Sequence, residues 1–101
     1  MRLSALAWAA LAALPALAAA ETHVVTMEAM GFRPAELVVR PGDRVVWQNK
    51  DLVPHTATAR GRFDSGEIAA GKSWAWTAPG PGRLDYVCTF HPGMKAGIVV
   101  Q

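Results

Sequence analysis

The stretch Cys88-Thr89-Phe90-His91-Pro92-Gly93-Met94, close to the end of the chain, determines how the rest of the sequence is interpreted. It contains the only cysteine, one of the three histidines and one of the four methionines. A thiol, an imidazole and a thioether therefore stand at i, i+3 and i+6, and the Pro92-Gly93 pair can bend the chain between the last two. Such a density of sulfur and nitrogen donors indicates a metal-binding loop rather than a segment of the core.

A thiolate and two imidazoles in a near-trigonal plane, with a weak axial thioether, form the ligand set of blue-copper electron-transfer sites. The loop offers three of these donors as Cys88, His91 and Met94, so one more histidine is required. His55, 33 positions before Cys88, is the expected supplier, and His23 is its competitor. We therefore predict that the segment around position 55 meets the 88–94 loop in the fold.

Two other metal interpretations use some of the same residues. Structural zinc is the closest chemical alternative, but a thioether is a poor zinc ligand and structural zinc sites usually use four Cys or His. A second, weaker copper site is the other alternative. If cleavage left Glu21 as the first residue, its amine and His23 in third position could chelate Cu(II).

Residues 1–20 have the composition of an export signal. Arg2 is their only charge, a Leu/Ala/Trp run follows, and small residues end the segment as Ala18-Ala19-Ala20. We expect cleavage before Glu21 and a periplasmic protein that does not stay in the membrane. The alternative is an uncleaved anchor, because the segment approaches the roughly 20 apolar residues that span a bilayer. Its alanine content, Pro15 and the lack of a Lys/Arg cluster at either end favour the cleaved signal.

The remaining chain, residues 21–101, is predicted to be a single small domain. Removing 20 of 101 residues leaves 81, and losing Arg2 lowers the formal charge from +2 to +1. This balance gives no case for nucleic-acid binding, which requires clustered Lys and Arg. A domain of this size buries only about 60% of its unfolded surface and often relies on a disulfide or a metal. A single cysteine in an exported protein is a chemical liability unless it is shielded or metal-bound, so Cys88 is favoured as a ligand.

The mature chain has the pattern of an all-β protein with seven to eight short strands, no confident helix and no internal repeat. Turn signals every eight to twelve residues separate the strands, which is typical of an antiparallel β-sandwich. The predicted strands span residues 23–27, 36–40, 44–49, 55–59, 73–77, 83–88 and 96–100, and 60–71 is predicted to be a surface loop. Leu84, Tyr86 and Cys88 share one strand face, so Cys88 is expected to point inward where its strand ends.

The segments 51–56 (DLVPHT) and 86–94 (YVCTFHPGM) resemble the copper motifs of the cupredoxin family. The short ligand loop is similar to that of the amicyanin group more than to the longer loops of plastocyanins and pseudoazurins. The segments 32–37 (FRPAEL) and 41–47 (PGDRVVW) resemble the strands that precede the first histidine ligand. The likeness spans nearly the whole mature chain.

This resemblance implies a Greek-key sandwich with one type 1 copper near one end, bound by His55, Cys88, His91 and Met94 and cycling between Cu(I) and Cu(II). The amicyanin group has Asn after its first histidine, where this chain has Thr56, and that neighbour helps to tie the two ligand loops together. In the loop itself, Phe90 and Gly93 replace a proline and a bulky residue.

The resemblance also implies that His91 is the exposed ligand through which electrons leave. Redox partner proteins, a donor and an acceptor, are expected to dock near His91 on an apolar patch formed with Leu52, Val53 and Pro54. We expect a monomeric, soluble electron shuttle and not an enzyme, because a copper oxidase would need further pairs of histidines. The alternative function is copper handling, as a periplasmic chaperone or store.

Overall fold

A computed structural model describes residues 19–101 of the chain as nine β-strands in two sheets. Residues 1–18, where most of the predicted export signal falls, lie outside this described part. Within residues 19–101, no helix has the length and hydrophobicity that crossing a bilayer requires. The strands are β1 (Thr22–Glu28), β2 (Gly31–Arg33), β3 (Glu36–Val39), β4 (Arg44–Asn49), β5 (Thr58–Ala59), β6 (Phe63–Asp64), β7 (Ser73–Thr77), β8 (Gly82–Val87) and β9 (Lys95–Val100).

The sheets have the strand orders β2-β1-β4-β7 and β3-β9-β8-β5-β6, and the predicted all-β sandwich is confirmed. The pairing directions are mixed, however, because β1 pairs with β4 and β3 pairs with β9 in parallel. Parallel neighbours need a crossover connection of a dozen residues or more, and both pairs are separated by intervening strands. Alternation of apolar and polar residues reveals which face a side chain takes, but it carries no information on strand direction.

Two short strands were not predicted, and one predicted strand is much shorter in the structure. Gly31–Arg33 forms β2 between the predicted strands 23–27 and 36–40, and Phe63–Asp64 forms β6 within the predicted 60–71 loop. The predicted strand at 55–59 is shortened to Thr58–Ala59, while His55 pairs with Ile68 in an isolated bridge. Strands of two or three residues are too short to display a period, so pattern analysis cannot locate them.

A cluster of aromatic rings joins the two sheets. Trp47 of β4 is fully buried, and its ring centroid lies 5.3 Å from that of Phe63, 5.5 Å from that of Trp74 and 5.4 Å from that of Tyr86. The Trp47 and Tyr86 rings meet almost at right angles, at 87°. Edge-to-face contacts of this kind add about 0.5–1.5 kcal/mol beyond area burial. The cluster therefore fixes β4 against β8, the two strands that lead into the predicted ligand segments.

Candidate metal centre

Residues 88–94 connect β8 to β9 as a closed hairpin. The strand ladder brings Val87 opposite Lys95, and the Cys88 amide then donates to the Met94 carbonyl over 3.1 Å. Inside the loop the His91 amide donates to the Cys88 carbonyl over 3.3 Å, and the Met94 amide donates to the His91 carbonyl over 2.8 Å. The positions of the Cys88 and Met94 side chains are thus set by the sheet that carries them.

The structure brings His55 to Cys88, as the sequence predicts. The Cys88 Sγ atom lies 3.8 Å from His55 Nδ1, and both residues are completely buried. Two donors that sit about 2.0 Å and 2.3 Å from one ion, at a trigonal angle, are roughly 3.7 Å apart. The observed separation of the sulfur and nitrogen atoms therefore fits a shared metal ion.

His55 is held by its backbone and by its second ring nitrogen. Its amide and carbonyl both pair with Ile68, over 3.1 Å and 2.7 Å. Its Nε2 atom lies 2.8 Å from Oδ2 of Asp51. An ionised carboxylate can only accept, so Nε2 carries a proton, and in the neutral form of the ring the lone pair is at Nδ1, which faces Cys88. The ring is thus fixed in the tautomer that a metal ligand requires.

Asp51 is itself fixed by the turn between β1 and β2. The amides of Ala29 and Met30 donate to its two carboxylate oxygens over 2.8 Å and 2.9 Å. Ala29 and Met30 have positive φ angles of 53° and 60°. This backbone conformation directs their two successive amides at the Asp51 carboxylate. The Met30 amide, together with the His55 ring and the Ala29 amide, lowers the pKa of Asp51. Asp51 belongs to the 51–56 motif, but its role was not predicted from the sequence.

Asn49, the last residue of β4, shapes the segment that carries Asp51 and His55. It is almost fully buried, and its Nδ2 atom donates to the carbonyls of Val53 and Ile68 over 2.8 Å and 3.0 Å. Its Oδ1 atom accepts the Asp51 amide over 2.9 Å. Asn49 therefore satisfies three backbone groups of the surrounding loops and holds the His55 loop against the end of the sheet.

Thr56 joins the His55 segment to the 88–94 loop. Its amide donates to Cys88 Sγ over 3.3 Å, and its hydroxyl oxygen accepts the Thr89 amide over 2.9 Å. The Thr89 and Thr58 hydroxyl oxygens lie 3.1 Å and 3.0 Å from the same oxygen. Thr56 thus links the two predicted ligand segments.

Of the other two predicted ligands, His91 lies beside His55, and Met94 is joined to Cys88 through a main-chain hydrogen bond. The His91 ring is partly exposed, and its centroid is 5.3 Å from that of His55 at an interplanar angle of 75°. Met94 is buried, with 3% of its surface exposed. In residues 19–101, no three His, Cys, Asp or Glu side chains are gathered tightly enough to surround an ion. Cys88 and His55 are therefore the preformed pair of donors, and His91 lies beside them.

His23, the competing histidine, lies at the other end of the sheet. In the sheet, His23 pairs with Val45 near the start of β4, whereas Asn49 at the end of β4 borders the His55 loop. Its Nε2 atom is 2.9 Å from Oδ2 of the buried Asp43. Asp43 also accepts the amides of Glu21 and Arg40, each over 3.0 Å. These bonds, the one from Glu21 first, lower the pKa of Asp43 to about 2.

Four exposed apolar side chains belong to the His55 segment, the 88–94 loop and the β1–β2 turn. Leu52 is 95% exposed, and Val53, beside it in the His55 segment, is 41% exposed. Phe90, which directly precedes His91, is 49% exposed, and Met30 of the β1–β2 turn is 45% exposed. We call these four residues the apolar patch. Leu52, Val53 and Pro54 were predicted for this surface and all three are exposed, whereas Phe90 and Met30 were not predicted.

Comparison with known proteins gives a consistent set of matches. The family model described as a cupredoxin-like domain matches residues 2–100. Amicyanin-alpha of Methylorubrum extorquens is 31% identical over 97% of this chain and 87% of that protein. The amicyanin of Paracoccus versutus is 27% identical over 81% of this chain and 67% of that protein.

Solved structures of amicyanin superpose on the described fold. A methionine-to-alanine variant in a Cu(I) structure has a TM-score of 0.76 and 27% identity, covering 79% of this chain and 82% of that chain. The Cu(I) form of a second methionine-to-alanine variant has a TM-score of 0.77 and 28% identity, covering 83% of this chain and 86% of that chain.

Proposed function

Because this chain belongs to the cupredoxin-like family, we propose that it is a type 1 copper protein that carries single electrons between redox partners. One copper ion would be held by His55, Cys88, His91 and Met94, the donor set that blue-copper sites use. The bound metal supplies the exchange of one electron between Cu(I) and Cu(II). The observation that carries the proposal is the buried Cys88 Sγ atom 3.8 Å from His55 Nδ1.

Rigid placement of the donors suits an electron carrier. Cu(I) and Cu(II) prefer different geometries, so a protein that holds its ligands in one arrangement lowers the cost of changing oxidation state. His55 is fixed by Asp51 and Ile68, and the sulfur of Cys88 is fixed by the Thr56 amide and the strand before it. These contacts support a site that changes little when an electron arrives or leaves.

The exposed edge of the proposed site suits brief contact with a partner protein. His91 is the partly exposed donor, and Phe90 of the apolar patch directly precedes it. Electron-transfer complexes use small interfaces that separate easily, and an apolar patch of a few side chains is of that size. We accordingly propose that donor and acceptor proteins dock over His91 in the periplasm, and that the carrier works as a monomer.

The burial of the donors favours electron transfer over copper handling. Cys88 and His55 are fully buried and Met94 is 3% exposed, so another protein's ligands have little access to them. A protein that passes copper to partners needs donors that an incoming ligand can reach. The structure offers only the partly exposed His91 for such an exchange among the four proposed donors.

Voltammetry of the copper-loaded protein distinguishes the two functions. We expect a reversible one-electron wave, with copper still bound after repeated cycles, and no wave from the Cys88→Ser variant. Addition of a strong Cu(I) chelator to the reduced protein provides the second measurement. Slow loss of copper agrees with an electron carrier, whereas release within seconds, with no reversible wave, would identify a copper-handling protein.

A further inference from the structure

Two arginines border a groove beside the proposed copper loop. Arg60 and Arg62 flank Gly61 in the turn that joins β5 to β6, and they line the groove together with Asp64 and Thr89. Ala59 pairs with Phe63 across this turn, and the Arg62 amide donates to the Ala59 carbonyl over 2.8 Å. We call this surface the arginine groove. Its turn is closed by main-chain bonds, so the two arginines stand on a defined hairpin.

The positive charges of this groove are only partly balanced by the protein. In residues 19–101 the ion pairs involve His23, His55 and Arg83, and neither Arg60 nor Arg62 takes part in one. Asp64 also lines the groove, which therefore carries two positive charges and one negative charge, and its Oδ1 atom accepts the Thr58 hydroxyl over 3.1 Å and the Gly66 amide over 2.9 Å. By contrast, Arg83 on β8 bonds to two carboxylates.

The groove is continuous with the apolar patch. Thr89, which forms part of its lining, lies between Cys88 and the exposed Phe90 in the sequence. Thr58 at the base of the hairpin pairs with Val87, the last residue of β8. A protein that covered Phe90 and His91 would therefore reach the groove with a neighbouring part of its own surface.

We propose that the arginine groove binds acidic side chains of a redox partner protein and orients that partner over His91. This proposal rests on the electron-transfer function proposed above and names the chemistry of the partner. Guanidinium groups present planar arrays of donors that match carboxylates, and arginine is favoured in ion pairs at interfaces. Apolar contacts alone do little to orient a bound partner protein. Complementary charges steer the approach of the partner and determine its orientation in the complex.

The chain offers a matched control pair at the opposite end of the molecule. Arg40 and Arg44 are exposed, and they take part in no ion pair within the described residues. Arg44 begins β4, and Asn49, which ends it beside the His55 loop, is five residues away. At about 3.3 Å per residue the two ends of β4 are roughly 16 Å apart. Replacing either arginine pair with glutamines lowers the net charge by the same amount, but only the Arg60/Arg62 replacement does so beside the proposed copper loop.

Oxidation of the reduced, copper-loaded protein by ferricyanide tests the proposal with an anionic probe. At about 0.1 M ionic strength the screening length is near 10 Å, so charges close to the electron exit dominate. We expect R60Q/R62Q to slow the reaction roughly three- to tenfold and to weaken its salt dependence. The R40Q/R44Q variant should stay near the wild-type rate. Equal rates in the two double variants would overturn the proposal.

Two further readouts separate this proposal from the proposed function. The visible sulfur-to-copper absorption shows whether each variant holds copper. If the copper-treated wild-type protein lacked this absorption, the electron-transfer function itself would be contradicted. Titration of the isotope-labelled, metal-free protein with an octaglutamate peptide needs no copper. We expect amide shifts at residues 60–62 and 89–90, and none at residues 40–44. Shifts confined to other surfaces, or no shifts, would refute an acid-binding groove.

Discussion

The Asp51 carboxylate lies 2.8 Å from Nε2 of His55, on the side of the ring away from the Cys88 sulfur. This contact links the proposed metal ligand to the β1–β2 turn, because Ala29 and Met30 donate their amides to the same carboxylate. The partner of a ligating histidine controls which nitrogen is protonated and how the ring is oriented. Asp51 is thus the residue through which the fold determines the behaviour of His55.

Replacing Asp51 with Asn should weaken copper binding. The amide has no charge and presents one acceptor oxygen, so it cannot satisfy the two backbone amides and the His55 ring together. We expect the copper affinity to fall about 10- to 100-fold, measured by competition with a chelator. Asp85→Asn removes the same charge from an exposed position on β8. An unchanged affinity in Asp51→Asn, or an equal loss in Asp85→Asn, would contradict the assigned role.

Replacing Thr56 with Val should destabilise the fold even without metal. The Thr89 amide would lose its acceptor in a partly buried hydrogen bond, and the net loss of such a bond costs about 0.5–1.5 kcal/mol. Urea unfolding of the metal-free protein measures this loss of unfolding free energy. Thr56→Ser keeps the hydroxyl and should retain most of the stability. If Val were tolerated as well as Ser, the hydroxyl would not tie the loops together.

The unfolding free energy of the metal-free protein should decrease in acid because the Asp43 carboxylate becomes protonated. Amide donors led by that of Glu21 lower its folded pKa to about 2, below its ordinary value of 3.8. The carboxylate therefore contributes its stability above about pH 4, and this contribution is lost as the pH falls towards 2. Asp43→Asn should be less stable than wild type near pH 6 and lose less on acidification. Parallel pH profiles for the two proteins would exclude Asp43 as the cause.

Replacing His91 with Gly should impair both colour and electron transfer. This change removes the partly exposed imidazole beside the Cys88–His55 pair. We expect the copper-loaded variant to lose the intense visible absorption and to react more slowly with ferricyanide. His23→Gln alters a histidine at the far end of β1 and should leave both properties unchanged. A His91→Gly variant with wild-type colour and rate would show that His91 is not a ligand.

Local spacing predicted the central part of the candidate site well. The alternation of Leu84, Tyr86 and Cys88 indicated one buried strand face, and all three residues are buried. The need for a second histidine predicted that His55 would meet Cys88 across 33 positions, and the two side chains are in contact. Both inferences depend on residue types and spacings that can be read directly from the sequence.

Features that depend on tertiary contacts were not predictable in the same way. Asp51 looks like an ordinary loop acid until the β1–β2 turn directs two amides at it. The arginine groove exists because a two-residue strand, Phe63–Asp64, turns the predicted 60–71 loop back beside Thr89. Strands this short cannot show a period. The alternation of apolar and polar residues does not distinguish parallel from antiparallel pairing, so the parallel pairs β1–β4 and β3–β9 were not predicted.

Titration of the purified, metal-free protein with Cu(II), followed by visible absorption, tests the central claim most directly. We expect an intense sulfur-to-copper band that saturates at one equivalent and is absent from Cys88→Ser. A single equivalent would also exclude a second copper site at His23. A colourless wild-type protein after addition of Cu(II) would contradict the claim that Cys88 and His55 share a type 1 copper ion.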